Sequence, residues 1–444
     1  MMYAGAQDMK LTALLCVFGL MMPAASGQSP TARRSVVLIS LDGFPAFSLE
    51  DPSLPVPNLR RLIREGASAR RMTTVNPSVT WPNHTSMVTG VLPGQHGLFY
   101  NGTLVRSEGE FGVKVEPWIE KEKMVHAPTV YDVAQRAGLT TAQVDWVAIH
   151  KAQTITWAFP EVPTLDGTVE KEMIARGQVT AAEIEKFRTL NIVRRDQIWT
   201  DAGVFILKQH KPDLLLFHLL SLDSTHHTYG PKTLAGQDSM GFLDACVGRL
   251  LEAIEAAGMK DRTTVILVSD HGFKAFDKRI QPNAALSAAG LSHAVRVIPE
   301  GGTAMVYLDK SKAAELGSKV RSLLGGLEGV ESVVGPEGFD ALGLPDQSKE
   351  PQMSDFVLVA KPGYAFAGAA SGPALTPIPE KQGSHGYVSS DPDMDAIFIA
   401  WGTGIRKGAV VDRVRNVDVA ATAGKLLGLR MPEMKGRVLS EILE

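Results

Sequence analysis

Three apolar runs in this chain of 444 residues end in aspartate, and no other feature restricts the fold as much. VVLISL runs into Asp42, LLLFHLLSL into Asp223 and TVILVS into Asp270. Short runs rich in Val, Ile and Leu predict strands buried on both faces of a parallel sheet. In open α/β sheets, ligands collect at the carboxyl ends of such strands. His271 follows Asp270 directly, and His227 lies four residues beyond Asp223. The pattern therefore predicts that separate strands deliver carboxylates and imidazoles to one edge.

Strand and helix signals alternate around these runs. Strand 36–41 is followed by helices near 58–66 and from Thr80, a helix at 128–138 and a strand at 140–147. A helix at 182–210, strand 213–222, helix 238–258 and strand 263–269 follow, and strand 396–401 and helix 416–428 close the chain. Such alternation predicts an α/β fold with a doubly wound, mostly parallel sheet. Two stretches break the rhythm. Residues 150–180, with Trp157 and Phe159, read as a surface insertion near the site. Residues 275–380 hold enough strand and helix signals for a smaller inserted α+β subdomain. The catalytic domain is then expected at 28–274 and 381–444.

Residues 1–27 have the pattern of an export signal: Lys10, the apolar run LTALLCVFGLMM, and small residues up to Gly27. The run is short for a membrane span, so an exported periplasmic or secreted protein is expected, with an uncleaved anchor as the alternative. Of the two cysteines, Cys16 lies in this segment and Cys246 shares a helix face with Phe242, Leu250 and Ile254, as a small core hydrophobe would. A net charge of −3 gives no field for a nucleic-acid polymer, so phosphate affinity must arise locally.

Asp42, Asp223, His227, Asp270, His271 and His385 are the candidate metal ligands. Mixed Asp/His sets favour zinc or another late transition ion over calcium. Two ions about 4 Å apart can clamp both oxygens of an in-line displacement at phosphorus. Any one of these residues alone reads as a helix cap or a packed histidine, but together they read as a site.

The stretches NPSVTWPNHTSMVTGVLPGQHGLFYN (76–101), LDSTHHTYGP (222–231), VSDHGF (268–273) and GSHGY (383–387) resemble the nucleotide pyrophosphatase/phosphodiesterase branch of the alkaline phosphatase superfamily. The resemblance implies an alkaline phosphatase-like fold and hydrolysis of phosphodiester or pyrophosphate bonds. It implies Thr80 as nucleophile through a covalent phospho-threonine, and Asn101 as donor to a phosphoryl oxygen. It also implies two zinc ions, one held by Asp42, Thr80, Asp270 and His271, the other by Asp223, His227 and His385. Without the resemblance Thr80 reads as a helix cap and Asn101 as a turn residue. A small phosphodiester, foremost a nucleotide, is the expected partner. Trp157 or Phe159 can stack on a base, or equally pack the insertion onto the main domain.

One position departs from the family. His226 stands where it usually has glycine, and reads first as a solvent-facing neighbour, otherwise as a contact to the second metal or substrate. His84 and His96 match packing positions. A sulfatase is excluded because Thr80-Trp-Pro-Asn83 lacks the Cys/Ser-x-Pro-x-Arg setting, and no arginine matches that of alkaline phosphatases. Phosphonate cleavage of the phosphonoacetate hydrolase kind competes, with Lys114, Lys121, Lys123 and Lys151 available for it. Lipid-headgroup phosphodiesterase chemistry and an inactive metal-binding relative complete the alternatives.

Overall fold

Strand β1 (Ser35–Leu41) is buried at all seven positions because it is sandwiched in register between two parallel neighbours. The computed structural model describes residues 33–107 and 111–444; the expected export signal lies outside them. The other strands of the main sheet are β2 (Ala67–Thr73), β3 (Thr141–Val144), β4 (Trp157–Phe159), β5 (Leu214–Leu219), β6 (Thr263–Val268), β7 (Ala396–Gly402) and β8 (Ala409–Arg415). Their order is β8-β2-β7-β6-β1-β5-β3-β4, and only β7 runs antiparallel to its neighbours. β1, β5 and β6 are thus adjacent, and their carboxyl ends share one edge.

The pleat sends alternate β1 residues to opposite faces. Val37, Ile39 and Leu41 pack with helices α2 (Ile192–Gln209) and α4 (Leu234–Ala256). Val36 and Leu38 pack with α1 (Thr80–Thr89) and the helices Val130–Arg136 and Asp418–Leu426. Both faces are covered, which makes the sheet doubly wound. Cys246 is buried in the first of these cores.

A second, four-stranded antiparallel sheet of Val295–Pro299, Thr303–Leu308, Val330–Val334 and Phe356–Ala360 packs with helix Ala313–Gly325 around its own core of Val297, Val306, Leu324 and Leu358. The chain leaves the main sheet along Lys274–Ile280 and returns along Leu375–Ser384, and these strands pair antiparallel with Lys274 opposite Ser384. That ladder returns His385 to His271 after more than a hundred residues of chain.

Three sequence expectations change. The helix expected over 182–210 breaks into Ala181–Glu185 and α2, where Asn191 caps the new helix by accepting from Arg194 N at 2.9 Å. The strand expected over 213–222 stops at Leu219, and helix α3 (Ser221–Tyr229) begins at once. The 150–180 stretch is not wholly a surface insertion, because β4 is the edge strand of the main sheet.

Candidate active site

Asp42 is the first residue after β1 and is wholly buried. His218 Nε2 lies 3.0 Å from its Oδ2. Its Oδ1 has no hydrogen-bond partner and lies 3.4 Å from His271 Nε2. Asp270, two residues beyond β6, is divided the same way. Its Oδ1 accepts from Gly43 N at 3.1 Å and His271 N at 3.0 Å, while Oδ2 is unpartnered and 3.2 Å from His271 Nε2. Each carboxylate therefore has one oxygen fixed by the protein and one turned inward. Gly43 allows this approach: its φ is +67°, and a Cβ there would sit 2.7 Å from the Phe273 ring and 3.3 Å from Asp223 Cα.

Asp223 and His227 are four residues apart on α3 and so share a face, with Nε2 3.4 Å from Oδ1. His385 Nε2 reaches the same oxygen at 3.8 Å, and the His385 and His271 rings are 4.0 Å apart. Gly386 makes the turn after His385 at φ +79°, where a Cβ would collide with the Glu300 carbonyl. Among the described residues, two groups have ligand atoms close enough for one ion each: Asp42, Asp270 and His271, and Asp223, His271 and His385. His271 stands in both, and His227 borders the second.

The donors suit a late divalent metal. They mix imidazole with carboxylate, and Asp42 Oδ1, Asp223 Oδ1, Asp270 Oδ2 and His385 Nδ1 are buried without partners. Burial, then the Asp270 and Asp223 carboxylates, push Asp42 well above the usual carboxylate range. Gathered negative charge of this kind is what a cation offsets. Burial, then repulsion from His271 and His227, holds His385 well below the usual imidazole range, so its ring is neutral and able to ligate.

Thr80 opens α1, but Val79 occupies the cap position and no side chain caps the helix. The Thr80 hydroxyl is thus not spent on capping; it lies 3.4 Å from His271 Nε2. Asn101 Oδ1 accepts from Trp81 N at 3.0 Å, which leaves its amide NH2 beside the first turn of α1. His84 Nδ1 donates to the Thr80 carbonyl at 2.9 Å, and its buried ring sits edge-on to Trp146. Burial lowers its pKa to about 3. His96 is buried and bonded to Ser86 Oγ at 3.0 Å.

His226 is not solvent-facing. It is fully buried, with Nδ1 3.2 Å from the Gly43 carbonyl and its ring edge-on to Phe273. The first turn of α4 closes over it, so closely that a Cβ at Gly236 would lie 2.9 Å from Nε2.

Trp157 and Phe159 do not line the site. The pleat turns both into the core on the α2 side, where Phe159 packs against Phe187 and Trp157 stacks on His210. Ala158, between them, faces the opposite way, into a cleft of about 480 Å³. This cleft begins at Trp81, next to Thr80, and is walled by Trp118, Trp146, His150, Glu161 and Arg188. Of the four lysines, Lys114 pairs with Glu116, and Lys121 is buried against Asp132 at 2.5 Å. Lys123 pairs with Glu120 at 2.8 Å, and only Lys151 lines the cleft.

The sequence reading missed two residues. Asn83 accepts from Val75 N at 2.8 Å and donates to the Val79 carbonyl at 2.8 Å, which pins the loop leading into Thr80. His218 is the penultimate residue of β5, and its one signal is a single imidazole inside an otherwise apolar strand.

Comparison with known proteins identifies the family and the fold. The family model for type I phosphodiesterase / nucleotide pyrophosphatase matches residues 36–388. Human ectonucleotide pyrophosphatase/phosphodiesterase family member 7 is 24% identical over 435 residues, 96% of this chain and 86% of that protein. Venom phosphodiesterase 2 of Crotalus adamanteus is 26% identical over 264 residues, 57% of this chain and 28% of that protein. Murine ectonucleotide pyrophosphatase/phosphodiesterase 5 shares the fold, with a TM-score of 0.72 at 19% identity over 93% of this chain and 100% of that one. An inactive threonine-to-alanine form of the murine protein, in complex with AMP, gives 0.71 at 18% identity over the same shares. The chain belongs to the type I phosphodiesterase/nucleotide pyrophosphatase family, with an alkaline phosphatase-like fold, and is a hydrolase of phosphoric diesters.

Proposed function

We propose that this protein is an exported, two-zinc phosphodiesterase that cleaves small nucleotide diesters or pyrophosphates through a phospho-threonine at Thr80. The observation that carries this reading is the uncapped Thr80 hydroxyl at the start of α1, beside inward-facing carboxylate oxygens with no protein partner. Asp42, Thr80, Asp270 and His271 would hold one ion, and Asp223, His227 and His385 the other. Bound there, divalent ions would supply Lewis acidity and offset the charge of the attacking and leaving oxygens.

The chain's own groups do the rest. Thr80 Oγ1 gives up its proton and forms the new bond to phosphorus while the bond to the leaving oxygen breaks, the leaving group taking up a proton where it needs one; water then cleaves the Thr80–phosphorus ester, releasing the nucleoside monophosphate and restoring the hydroxyl. The Asn101 amide NH2, left free because its Oδ1 takes the Trp81 N–H, would donate to a phosphoryl oxygen. No helix among the described residues is long and apolar enough to cross a membrane.

The tryptophan-lined cleft beside Thr80 suits the flat apolar part of a substrate, such as a base. Lys114, Lys121 and Lys123 are paired with carboxylates and Lys151 alone of the four lines the cleft, so the lysines that a phosphonoacetate-like substrate would draw on are not gathered there. The test is kcat/KM of the zinc-loaded protein for the p-nitrophenyl ester of thymidine monophosphate beside p-nitrophenyl phosphate. The reading predicts a strong preference for the nucleotide diester. Equal or reversed preference would contradict it.

A further inference from the structure

We propose that His218 and Asp145 form a positioning pair that fixes one oxygen of Asp42 and so presents the other to the metal. The inference rests on the metal-site reading above. Its geometry is independent of that reading. His218 Nε2 lies 3.0 Å from Asp42 Oδ2. On the far side, Nδ1 lies 3.0 Å from the Asp145 carbonyl and 3.2 Å from its carboxylate Oδ2. The Asp145 carbonyl can only accept, so Nδ1 carries a proton and donates. Nε2 is the nitrogen that meets the Asp42 side chain. The ring is thus clamped at both ends and cannot turn.

All three residues are buried, the two aspartates completely and His218 to within 1%. Asp145 adopts φ +54°, a left-handed conformation that Asp tolerates better than most residues. That conformation turns its carbonyl onto Nδ1 and sets its buried carboxylate, with no other partner, 3.2 Å from the same nitrogen, while Asp145 N stays bonded to the Phe159 carbonyl at 3.0 Å. His84 packs edge-on against the His218 ring, 4.6 Å between centroids, and blocks sideways motion. The consequence appears at Asp42. With Oδ2 occupied, only Oδ1 is free, and it is the oxygen that lies unpartnered beside His271. A buried strand position normally filled by an aliphatic side chain is here given to His218, between two aspartates that each follow a strand end. Groups of this kind behind a metal ligand set its orientation and basicity.

The test uses the full mature protein with zinc and with cobalt. Zinc content and affinity are measured by chelator competition, the cobalt d–d absorption reports ligand geometry, and thermal unfolding reports the fold. The proposal predicts that wild type binds two ions. His218→Leu should stay folded but bind zinc about 10- to 100-fold more weakly at one position, with a shifted cobalt band. His218→Gln, whose amide can bond Asp42 where Nε2 does, should recover most of that loss. If His218→Leu does not fold, Asp145→Asn, which keeps volume and the Asp42 contact, should weaken the same position and shift the same band. Unchanged affinity and an unchanged cobalt spectrum in a folded His218→Leu or Asp145→Asn variant would overturn the pair while leaving the metal site standing. A glutamine variant as impaired as the leucine variant would overturn it too. A wild-type protein that binds no zinc would overturn the metal reading itself.

Discussion

The arrangement around Thr80 turns on how individual polar atoms are allotted. Asn101 illustrates this: its Oδ1 is held by Trp81 N, so its amide hydrogens are aimed beside the start of α1 and need no reorganisation when charge develops. Asn101→Ala should therefore lower kcat by about 100- to 1,000-fold with metal content unchanged, measured by steady-state kinetics beside elemental analysis. A fall in KM alone would contradict this. His385 is the last ligand candidate to arrive along the chain, and its neutral ring meets Asp223 and His271. His385→Ala should reduce bound zinc from two equivalents toward one; two retained equivalents would remove His385 from the ligand set. The candidate ligands were legible because Asp and His stood out against apolar runs. His218 and Asn83 were not: His218 acts on Asp42, far away in sequence, and Asn83 bonds both the loop just before Thr80 and the distant Asn416, contacts that no local pattern marks. For Trp157 and Phe159 the packing alternative holds. Strand alternation decides which face Trp157, Ala158 and Phe159 present, and the loop formers around this short strand hide it in the sequence.

At the level of elements, the site depends on a helix separated from the preceding strand by a single residue. β5 ends at Leu219, and α3 starts at Ser221 because buried Asp196 on α2 accepts from Leu220 N at 3.0 Å and Ser221 N at 2.9 Å. This places Asp223 in the first turn of α3 and lets His227 fall on the same face. A run of apolar residues cannot show where strand gives way to helix, so the expected strand ran three residues too long, and the cap that ends it came from another element. Asp196→Ala leaves both buried N–H groups unsatisfied and should cost about 1–3 kcal/mol of stability. Urea unfolding measures it; a change within about 0.5 kcal/mol would contradict the capping role. The broken helix before α2 has the same kind of origin, since Asn191 caps α2 locally and the apolar pattern runs straight through the break.

For the whole molecule, the doubly wound sheet follows from strand–helix alternation, and β1 lies near its middle because its pattern is apolar on both faces. The excursion through the second sheet was legible as a departure from that alternation. Its return path was not, because the pairing of Lys274 with Ser384 is a long-range contact that no local pattern encodes. That pairing joins the chain after β6 to the chain before β7 and sets His385 against His271. The proposed function requires these separate arrivals to serve one reacting hydroxyl, so the most direct measurement is turnover of Thr80→Ala on the nucleotide diester, with zinc content determined on the same sample. The account predicts retained metal and a fall in kcat of at least about a hundredfold; near-normal turnover would contradict it.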